Sequence, residues 1–152
     1  MTRRADEIEP ATADEAVVLD YFKLLMCRDM QGFEALWHED AVQDIPFVPE
    51  GFGAFVTSQF TGRQGIMDHY RVAFRNRRDH VFWIDEIHHT QRPGCVIVEA
   101  HARSLVGETG QVYENSYVCI FQVRDGKLQS LKEYVNPLAF MKAFAGGFDE
   151  HR

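Results

Sequence analysis

The chain has 152 residues, the length of one domain with a substantial core, and its 45% hydrophobic and 26% charged residues are typical of a globular protein. Its net charge of −7 argues against nucleic acid as the main partner, because phosphate binding needs clustered lysine and arginine. The one short basic stretch, at 71–80, is predicted to be a solvated helix end, since cations suit a helix C-terminus.

The N-terminal half of the chain is predicted to be mainly helical. Thr12 and Glu15 match a capping box, which marks the start of a helix. Prolines and glycines punctuate residues 46–53, a pattern typical of a long loop that borders a pocket. In chain order, the predicted elements are a flexible charged lead-in at 1–11, helices at 13–27 and 29–37, short strands on either side of the loop within 41–60, and a helix at 62–74.

The C-terminal half is predicted to be an antiparallel meander. The Asp125–Gly126 pair is typical of a hairpin turn, because both residues tolerate a positive φ angle. The predicted strands lie at 80–89, 95–106, 111–123 and 127–135, followed by a short helix that ends at Gly146. Helices followed by a meander predict an α+β fold with helices on one face of a strongly curved sheet. One domain is expected at 12–146, with a tail at 147–152.

The cysteine content and the absence of long apolar runs bear on the compartment. Three cysteines without a C-x-x-C motif, Cys27, Cys95 and Cys119, predict reduced thiols. The first residues lack the apolar stretch of a signal peptide, and no run approaches the roughly 20 apolar residues that span a bilayer. We therefore expect a cytoplasmic protein without a membrane partner.

Glu133 is the first candidate for chemistry. It shares one face of its strand with Leu131 and Val135, because side chains alternate along a strand. It is therefore expected to point between the sheet and the helices, where burial raises the pKa of a carboxyl group toward that of a useful general acid or base. The alternative is a glutamate that pairs with an arginine or reaches solvent at the strand end.

Asp44 and His69 are further candidates. Asp44 closes the first strand, although an aspartate before a proline-rich loop also commonly bonds to its own turn. His69 contributes only if it faces the same cavity as Glu133. Alternate residues of strand 111–123 form an aromatic face that suits a flat ligand, a core or a dimer contact. That face consists of Tyr113, Asn115, Tyr117, Cys119 and Phe121.

No metal or cofactor is predicted. His88 and His89 are neighbours in a strand and point to opposite faces, so they are poor joint ligands. The sequence lacks the H-E-x-x-H spacing, a glycine-rich phosphate loop and the G-x-S-x-G nucleophile motif.

Two stretches resemble the SnoaL-like branch of the nuclear transport factor 2-like superfamily, and the likeness extends over 16–144. The first, YFKLLMCRDMQGFEALWHEDAVQDIP, resembles the superfamily's opening, two helices followed by xxDAxxxDxP. The second, YENSYVCIFQVRDGKLQSLKEYVNPLAFMKAF, resembles its ending, with DGKI and E-[YF]-x-[ND]-P. Within that branch the sequence is most similar to the phenazine-biosynthesis A/B proteins, which share the YEN, GK and NP elements.

The resemblance implies a cone-shaped α+β barrel with a deep pocket, commonly a homodimer through the sheet, and acid/base chemistry without a cofactor. Glu133 and His69 fall on the two residues that move protons in the phenazine proteins, and Ala73 replaces a serine of that family. Tyr21 and Asp44 fall at or within one residue of the tyrosine and the base of the superfamily's steroid isomerases.

Other branches match less completely. The second aspartate of the steroid isomerases would fall near Cys119. Asn136 stands where polyketide cyclases carry the aspartate that acts as their base. An epoxide hydrolase needs an Asp–Arg–Asp set, for which Asp44 and Arg103 are available.

We therefore expect a cofactor-independent enzyme that isomerises, cyclises or condenses a small carbonyl or enol compound of secondary metabolism. Its predicted catalytic residues are Glu133, His69 and Asp44. The predicted pocket residues are Tyr21, Trp37, Phe60, Tyr70, Asn115 and Tyr117. Two alternatives remain open at this point: a non-catalytic ligand-binding module of the same fold, and an epoxide hydrolase.

Overall fold

The computed structural model describes residues 2–48, 58–107 and 110–144, which form four α-helices around one curved, open, mixed sheet. The helices are α1 (Ala13–Cys27), α2 (Met30–Ala35), α3 (Gly62–Phe74) and α4 (Pro137–Phe144), with a 3-10 helix at Ala5–Glu7. The strands are β1 (Arg3–Arg4), β2 (Trp37–Asp44), β3 (Gln59–Thr61), β4 (Arg77–His89), β5 (Cys95–Val106), β6 (Gln111–Arg124) and β7 (Lys127–Val135). The α+β class is confirmed, with the strands in the order β1-β4-β5-β6-β7-β2-β3.

The helix starts follow the capping signals in the sequence. The Oγ atom of Thr12 accepts from the backbone N–H of Glu15 at 3.0 Å, and α1 has the predicted bounds. The carboxylate of Asp29 accepts from the N–H of Gly32 at 2.9 Å at the start of α2. The predicted second helix is two residues too long, because Trp37 pairs with Leu128 and begins β2.

The basic stretch at 71–80 is not a solvated helix end throughout, so that prediction is wrong. Helix α3 ends at Phe74, and β4 begins at Arg77, three residues before the predicted strand. Arg77 pairs with Val106 of β5 and is only 8% exposed. The cause is a register shift between Arg78 and Val81 in the pairing of β4 with β5, which interrupts the alternation of side chains.

The N-terminal segment is packed on the sheet, so the prediction of a flexible lead-in is wrong for residues 3–8. Arg3 and Arg4 pair with β4 as an edge strand. Ala5 and Ile8 are buried in the core. Burial of these two apolar side chains contributes favourable free energy, which offsets the loss of conformational entropy when the segment is ordered.

Two predicted features fall partly outside the described residues. Residues 49–57 of the predicted loop lie there, whereas β3 beyond it pairs with β2 in antiparallel fashion. The predicted end of the last helix at Gly146 and the tail at 147–152 also lie there.

The two faces of the sheet differ in burial. The predicted aromatic face of β6 points toward the helices, with Tyr113, Tyr117 and Phe121 all buried. This face supplies part of the main core, where Phe22 and Phe121 pack edge to face at 5.8 Å. It is therefore unavailable as a dimer contact. A homodimer through the sheet remains a prediction, and it would have to use the opposite face, where Val112 and Val118 are exposed.

None of the helices in the described part of the chain has both the length and the apolar character needed to cross a membrane.

Candidate active site

A cavity lies between the inner face of the sheet and helices α1, α3 and α4. Its volume, as the space open to the centre of a water molecule, is about 70 Å³. Apolar and aromatic side chains form most of the wall. The ionisable side chains that line it are Glu133, His69, Arg77, Tyr21, Tyr70, Tyr113 and Tyr117. A mainly apolar cavity with a few convergent polar groups is the usual form of a small-molecule site.

Glu133 reaches the cavity because of the period of β7. It lies opposite Cys119 of β6, two residues after Leu131, which is buried in the core. The residue is half-buried, and it lines the cavity. Burial raises the pKa of this carboxyl to about 7, although the positive charge of Arg77 and a hydrogen bond from Tyr21 partly oppose the rise. Near neutral pH, Glu133 is therefore both a proton donor and a proton acceptor.

Two tyrosine hydroxyls extend the carboxyl into a short chain. The hydroxyl of Tyr21 donates to Oε2 of Glu133 at 3.4 Å, and the hydroxyls of Tyr21 and Tyr70 are 2.7 Å apart. Since Tyr21 has one proton to give, Tyr70 donates to Tyr21, and Tyr21 donates to Glu133. Burial raises the pKa of both phenols well above the ordinary value, so both keep their protons at neutral pH.

Tyr21→Phe is expected to raise the pKa of Glu133 above about 7, because the substitution removes a donor that favours the carboxylate form. The pKa is measured by NMR titration of the glutamate side-chain carboxyls. Tyr134→Phe is the matched control, because Tyr134 is adjacent on β7 and packs against Phe47 with ring centroids 5.3 Å apart. An unchanged or lower pKa in Tyr21→Phe would show that the hydroxyl does not support the carboxylate.

His69 lines the same cavity as Glu133. This is the condition set in the sequence analysis for a role of His69 in catalysis. Its ring stacks on Phe60 with centroids 4.0 Å apart and an interplanar angle of 20°. Burial and the positive charge of Arg77 lower the pKa of His69 to about 3, so the imidazole is neutral at physiological pH. Glu133 accepts a hydrogen bond from Tyr21 and not from His69. Glu133 and His69 therefore line the same cavity without a direct hydrogen bond between them.

Arg77 is the cavity residue that the sequence does not reveal. Its guanidinium carbon lies 4.7 Å from the centroid of Phe74 and 5.1 Å from that of Tyr113. Its inward position follows from the register shift in β4, which a strict alternating pattern cannot show. The one indication in the sequence is the presence of a charged residue, Arg77, between a predicted helix and a predicted apolar strand.

Four predicted site residues lie outside the cavity lining. Asp44 accepts from Nε2 of Gln59 at 2.7 Å, between β2 and the edge strand β3, and its side chain is not part of the cavity lining. Trp37 is fully buried in the core. Phe60 contributes only as the ring under His69. The fourth residue, Asn115, has a structural role of its own.

Asn115 joins β6 to the start of α4. Its Nδ2 donates to the carbonyl oxygen of Asn136 at 3.1 Å, and its Oδ1 accepts from the N–H of Asn136 at 2.9 Å. The side chain of Asn136 then accepts from the N–H of Leu138 at 3.0 Å, in the first turn of α4. The asparagine at the polyketide cyclase base position thus caps a helix here.

A group of possible metal ligands lies elsewhere, near the exposed end of β4 and β5. One ligand atom from each of Glu86, His88 and Glu99 lies within 4.8 Å of the others. Nε2 of His88 is 2.7 Å from Glu99, and this hydrogen bond raises the pKa of the imidazole. His89 instead contacts Glu15 at 3.0 Å. The contacts of His88 are those of an exposed ion pair.

Two curated sequences are similar to this chain over most of its length. YesE of Bacillus subtilis (strain 168), itself uncharacterized, is 28% identical over 128 residues, which cover 84% of each chain. The uncharacterized PhzA/B-like protein PA3332 of Pseudomonas aeruginosa is 25% identical over 130 residues, which cover 86% of this chain and 89% of that one. This second relative confirms the likeness to the phenazine-biosynthesis branch.

Solved structures give the same result. The crystal structure of a candidate isomerase from Bacillus subtilis matches with a TM-score of 0.79 and 26% identity, over 90% of this chain and 95% of that one. The family of the SnoaL-like domain matches residues 18–131, which include Tyr21, His69 and Arg77. The chain therefore belongs to the SnoaL-like domain family of the nuclear transport factor 2-like superfamily.

Proposed function

We propose that the protein is a cofactor-independent enzyme that moves a proton on a small carbonyl or enol compound bound in the cavity. The observation that carries this proposal is the position of Glu133 in the wall of the cavity, where burial raises the pKa of its carboxyl to about 7. A carboxyl with a pKa near the working pH can take a proton from carbon and return it. The likeness to the candidate isomerase of Bacillus subtilis supports this class of chemistry.

The reaction uses the groups already placed around the cavity. The Glu133 carboxylate removes a proton from the carbon next to the carbonyl, and the C–H electron pair moves toward the carbonyl oxygen to give an enolate. Neutral His69 and cationic Arg77 line the same space and stabilise the developing negative charge. The protonated Glu133 then returns the proton to carbon, at the same or a conjugated position, which restores the carboxylate.

The epoxide hydrolase alternative is not supported by the positions of its residues. Nε of Arg103 is 3.6 Å from Glu114 on the outer face of the sheet, and both side chains are exposed. Asp44 bonds to Gln59 of the edge strand β3 and does not line the cavity. Asp44 and Arg103, which an epoxide hydrolase would use to activate water, therefore do not lie together in one cavity. The other alternative, a non-catalytic ligand-binding module, differs from the proposed enzyme because it does not require the Glu133 carboxyl to titrate near neutral pH.

Hydrogen–deuterium exchange tests the enzymatic proposal without a known substrate. Small cyclic ketones and enones are incubated in D2O with the protein, and loss of their α-proton signals is followed by proton NMR. We expect accelerated exchange with at least one compound. If no compound exchanges and the Glu133 carboxyl titrates near the ordinary value, the binding module is the better description.

The Glu133 titration is a prediction in its own right. We expect its carboxyl resonance to titrate with a midpoint near 7 rather than near 4.5, because burial disfavours the charged form. The resonance is assigned by its absence in Glu133→Gln. Glu114, on the outer face of the sheet, provides an internal comparison. A midpoint near 4.5 for Glu133 would remove the basis of the proposed mechanism.

A cytoplasmic homodimer that acts in secondary metabolism completes the proposal. The reduced cysteines and the exposed valines Val112 and Val118 support the compartment and the contact, respectively. Sedimentation of wild type and Val118→Glu tests the dimer, and a monomeric wild type at all concentrations would contradict it.

A further inference from the structure

We propose that the outer face of the sheet carries a second catalytic site, which hydrolyses small carboxylic esters with Ser116 as the nucleophile and His101 as its general base. Asp85 completes the set as the residue that positions His101. None of the three is among the described residues that line the cavity. The site is therefore separate from the cavity, and it does not depend on the reaction proposed for Glu133.

The three residues lie side by side on three neighbouring strands. Asp85 is on β4, His101 on β5 and Ser116 on β6, and each is next to residues that are buried on the inner face. His101 and Ser116 are directly opposite each other in the antiparallel ladder, which brings their Cβ atoms to about 5 Å. The order across the strands is acid, base and hydroxyl, as in the triad of a serine hydrolase.

Hydrogen bonds fix the tautomer of His101. Its Nδ1 is 3.0 Å from Oδ2 of Asp85, and Oγ1 of Thr2 donates to Oδ1 of the same carboxylate at 2.7 Å. Partial burial acts to raise the pKa of Asp85, but the hydrogen bonds from His101 and Thr2 outweigh it and lower that pKa, so Asp85 is ionised at neutral pH. Since a carboxylate has no proton to give, Nδ1 donates, and Nε2 of neutral His101 is the proton acceptor.

Trp83 holds the imidazole of His101 in place. The two rings are stacked, with centroids 5.2 Å apart and an interplanar angle of 11°. Because Nδ1 is turned toward Asp85 on β4, Nε2 on the other side of the ring is turned toward β6, which carries Ser116. Within the described part of the chain Nε2 has no hydrogen-bond partner, so it is available to the serine hydroxyl. Such a contact commonly tightens only when substrate binds.

A groove beside these residues has room for a small ester. The space open to the centre of a water molecule is about 400 Å³ there, against about 70 Å³ in the cavity. Its lining includes Trp83, His101, Ser116 and Arg103. Arg103 follows His101 by two residues on the same face of β5, and its Nε is 3.6 Å from Glu114. A cation at this place stabilises the oxyanion that forms during acyl transfer.

The reaction follows from these positions. Oγ of Ser116 bonds to the carbonyl carbon of the ester, and its proton passes to Nε2 of His101. The bond from that carbon to the alcohol oxygen then breaks, and His101 gives the proton to the departing alcohol. Water next attacks the acyl group on Ser116, with His101 taking a proton from the water and returning it to the serine oxygen. The sum is ester and water giving acid and alcohol, with no other reactant.

The dimer proposed above would cover this site, because Ser116 lies between the exposed residues Val112 and Val118 on the outer face of β6. This part of the inference rests on the proposed dimer contact. We expect ester hydrolysis per subunit to fall as the concentration of wild type rises through the range in which sedimentation detects dimers. In Val118→Glu it should stay constant. Constant hydrolysis per subunit in a dimerising wild type would contradict a contact through this face.

Phenylmethanesulfonyl fluoride identifies the nucleophile, because its sulfur bonds to an activated serine oxygen while fluoride and a proton leave. We expect mass spectrometry of wild-type peptides to place the label on Ser116. In His101→Gln the labelling rate should fall at least about tenfold. His88→Gln is the matched control and should label at the wild-type rate. His88 also contacts a carboxylate on this face, Glu99 at 2.7 Å, but it is opposite Ile97 on β5.

Asp85→Asn tests the positioning role. Asparagine keeps the shape of the side chain but no longer requires Nδ1 of His101 to carry the proton. We expect a lower maximal labelling rate, with the half-saturating concentration of the sulfonyl fluoride within about twofold of wild type. A purely structural defect would change both quantities.

Turnover is measured with p-nitrophenyl acetate. Ser116→Ala is expected to lower the protein-catalysed rate at least about tenfold, since the acyl group has no acceptor. Ser58→Ala is the matched control, because Ser58 is an exposed serine beside the edge strand β3, and it should keep the wild-type rate.

Any one of three results would overturn the inference: no label on Ser116, equal labelling of wild type and His101→Gln, or an unchanged rate in Ser116→Ala. The first needs no variant, and the substitutions are at partly or fully exposed positions, where effects on folding are small. Failure of the proposed function is distinguishable, because α-proton exchange depends on Glu133 and ester hydrolysis on Ser116. Either activity can be lost while the other is kept.

Discussion

Glu133→Gln is expected to slow exchange of substrate α-protons by about 10²–10⁴-fold, the usual contribution of a positioned general acid or base. Glutamine has nearly the same shape and can still accept the hydrogen bond from Tyr21, so the cavity should keep its form. It cannot take up a proton at carbon. The measurement is the exchange rate at pH 7, with a compound that wild type accelerates.

Two further variants make this result specific. Glu114→Gln removes a carboxylate from the outer face of the sheet, where the side chain is exposed, and its rate should stay within about twofold of wild type. Glu133→Asp keeps a carboxyl but withdraws it by one methylene, so its rate should lie between those of wild type and Glu133→Gln. A Glu133→Gln rate close to that of wild type would assign the proton transfer to another group.

The same substitution should stabilise the folded protein at alkaline pH. The pKa of Glu133 is about 7 in the folded protein, against 4.5 for an unperturbed glutamate. Below pH 4.5 both states hold the proton. As the pH rises toward 7, the unfolded state releases it first, and stability is lost until the folded carboxyl also ionises. Relative to Glu133→Gln, wild type should lose about 2–3 kcal/mol in free energy of unfolding between pH 4.5 and pH 8.

The comparison with Glu133→Gln is needed because two histidines change the free energy of unfolding with pH in the opposite direction to Glu133. The lowered pKa values of His69 and His80 make the folded state less stable as the pH falls below 6.5, where the unfolded histidines gain protons. This effect is common to both proteins and cancels in their difference. Urea unfolding at pH 4.5, 6 and 8 measures that difference, and a gap that does not change with pH would contradict the prediction.

Local signals in the sequence predict the fold well because they reflect local physics. The capping residue Thr12 fixes the start of α1, and the alternation along β7 places Glu133 among buried apolar neighbours. Both features depend on interactions within a few residues. The inward position of His69 was accessible only through the resemblance to a family, since one turn of helix does not say which face meets the cavity.

Features that depend on distant parts of the chain could not be predicted. Arg77 points inward because the pairing of β4 with β5 shifts its register between Arg78 and Val81. Asp44 turns away from the cavity because β3, which follows the loop, supplies Gln59 as its partner. The packing of residues 3–8 depends on β4, about eighty residues later in the chain. In each case the contact that determines the structure joins residues far apart in the chain, so local sequence patterns do not predict it.

The parallel pairing of β2 with β7 has a consequence for how the protein folds. Within the described residues, β2 and β3 join the rest of the sheet only through β7, which follows all the other strands in sequence. Such a contact closes a loop of most of the chain, and loops of this length are closed late and slowly. During synthesis on the ribosome, helix α3 with His69 therefore emerges long before the strand that carries Glu133. The cavity is assembled only after β7 has left the exit tunnel, so the nascent chain exposes its aromatic residues until that strand has emerged.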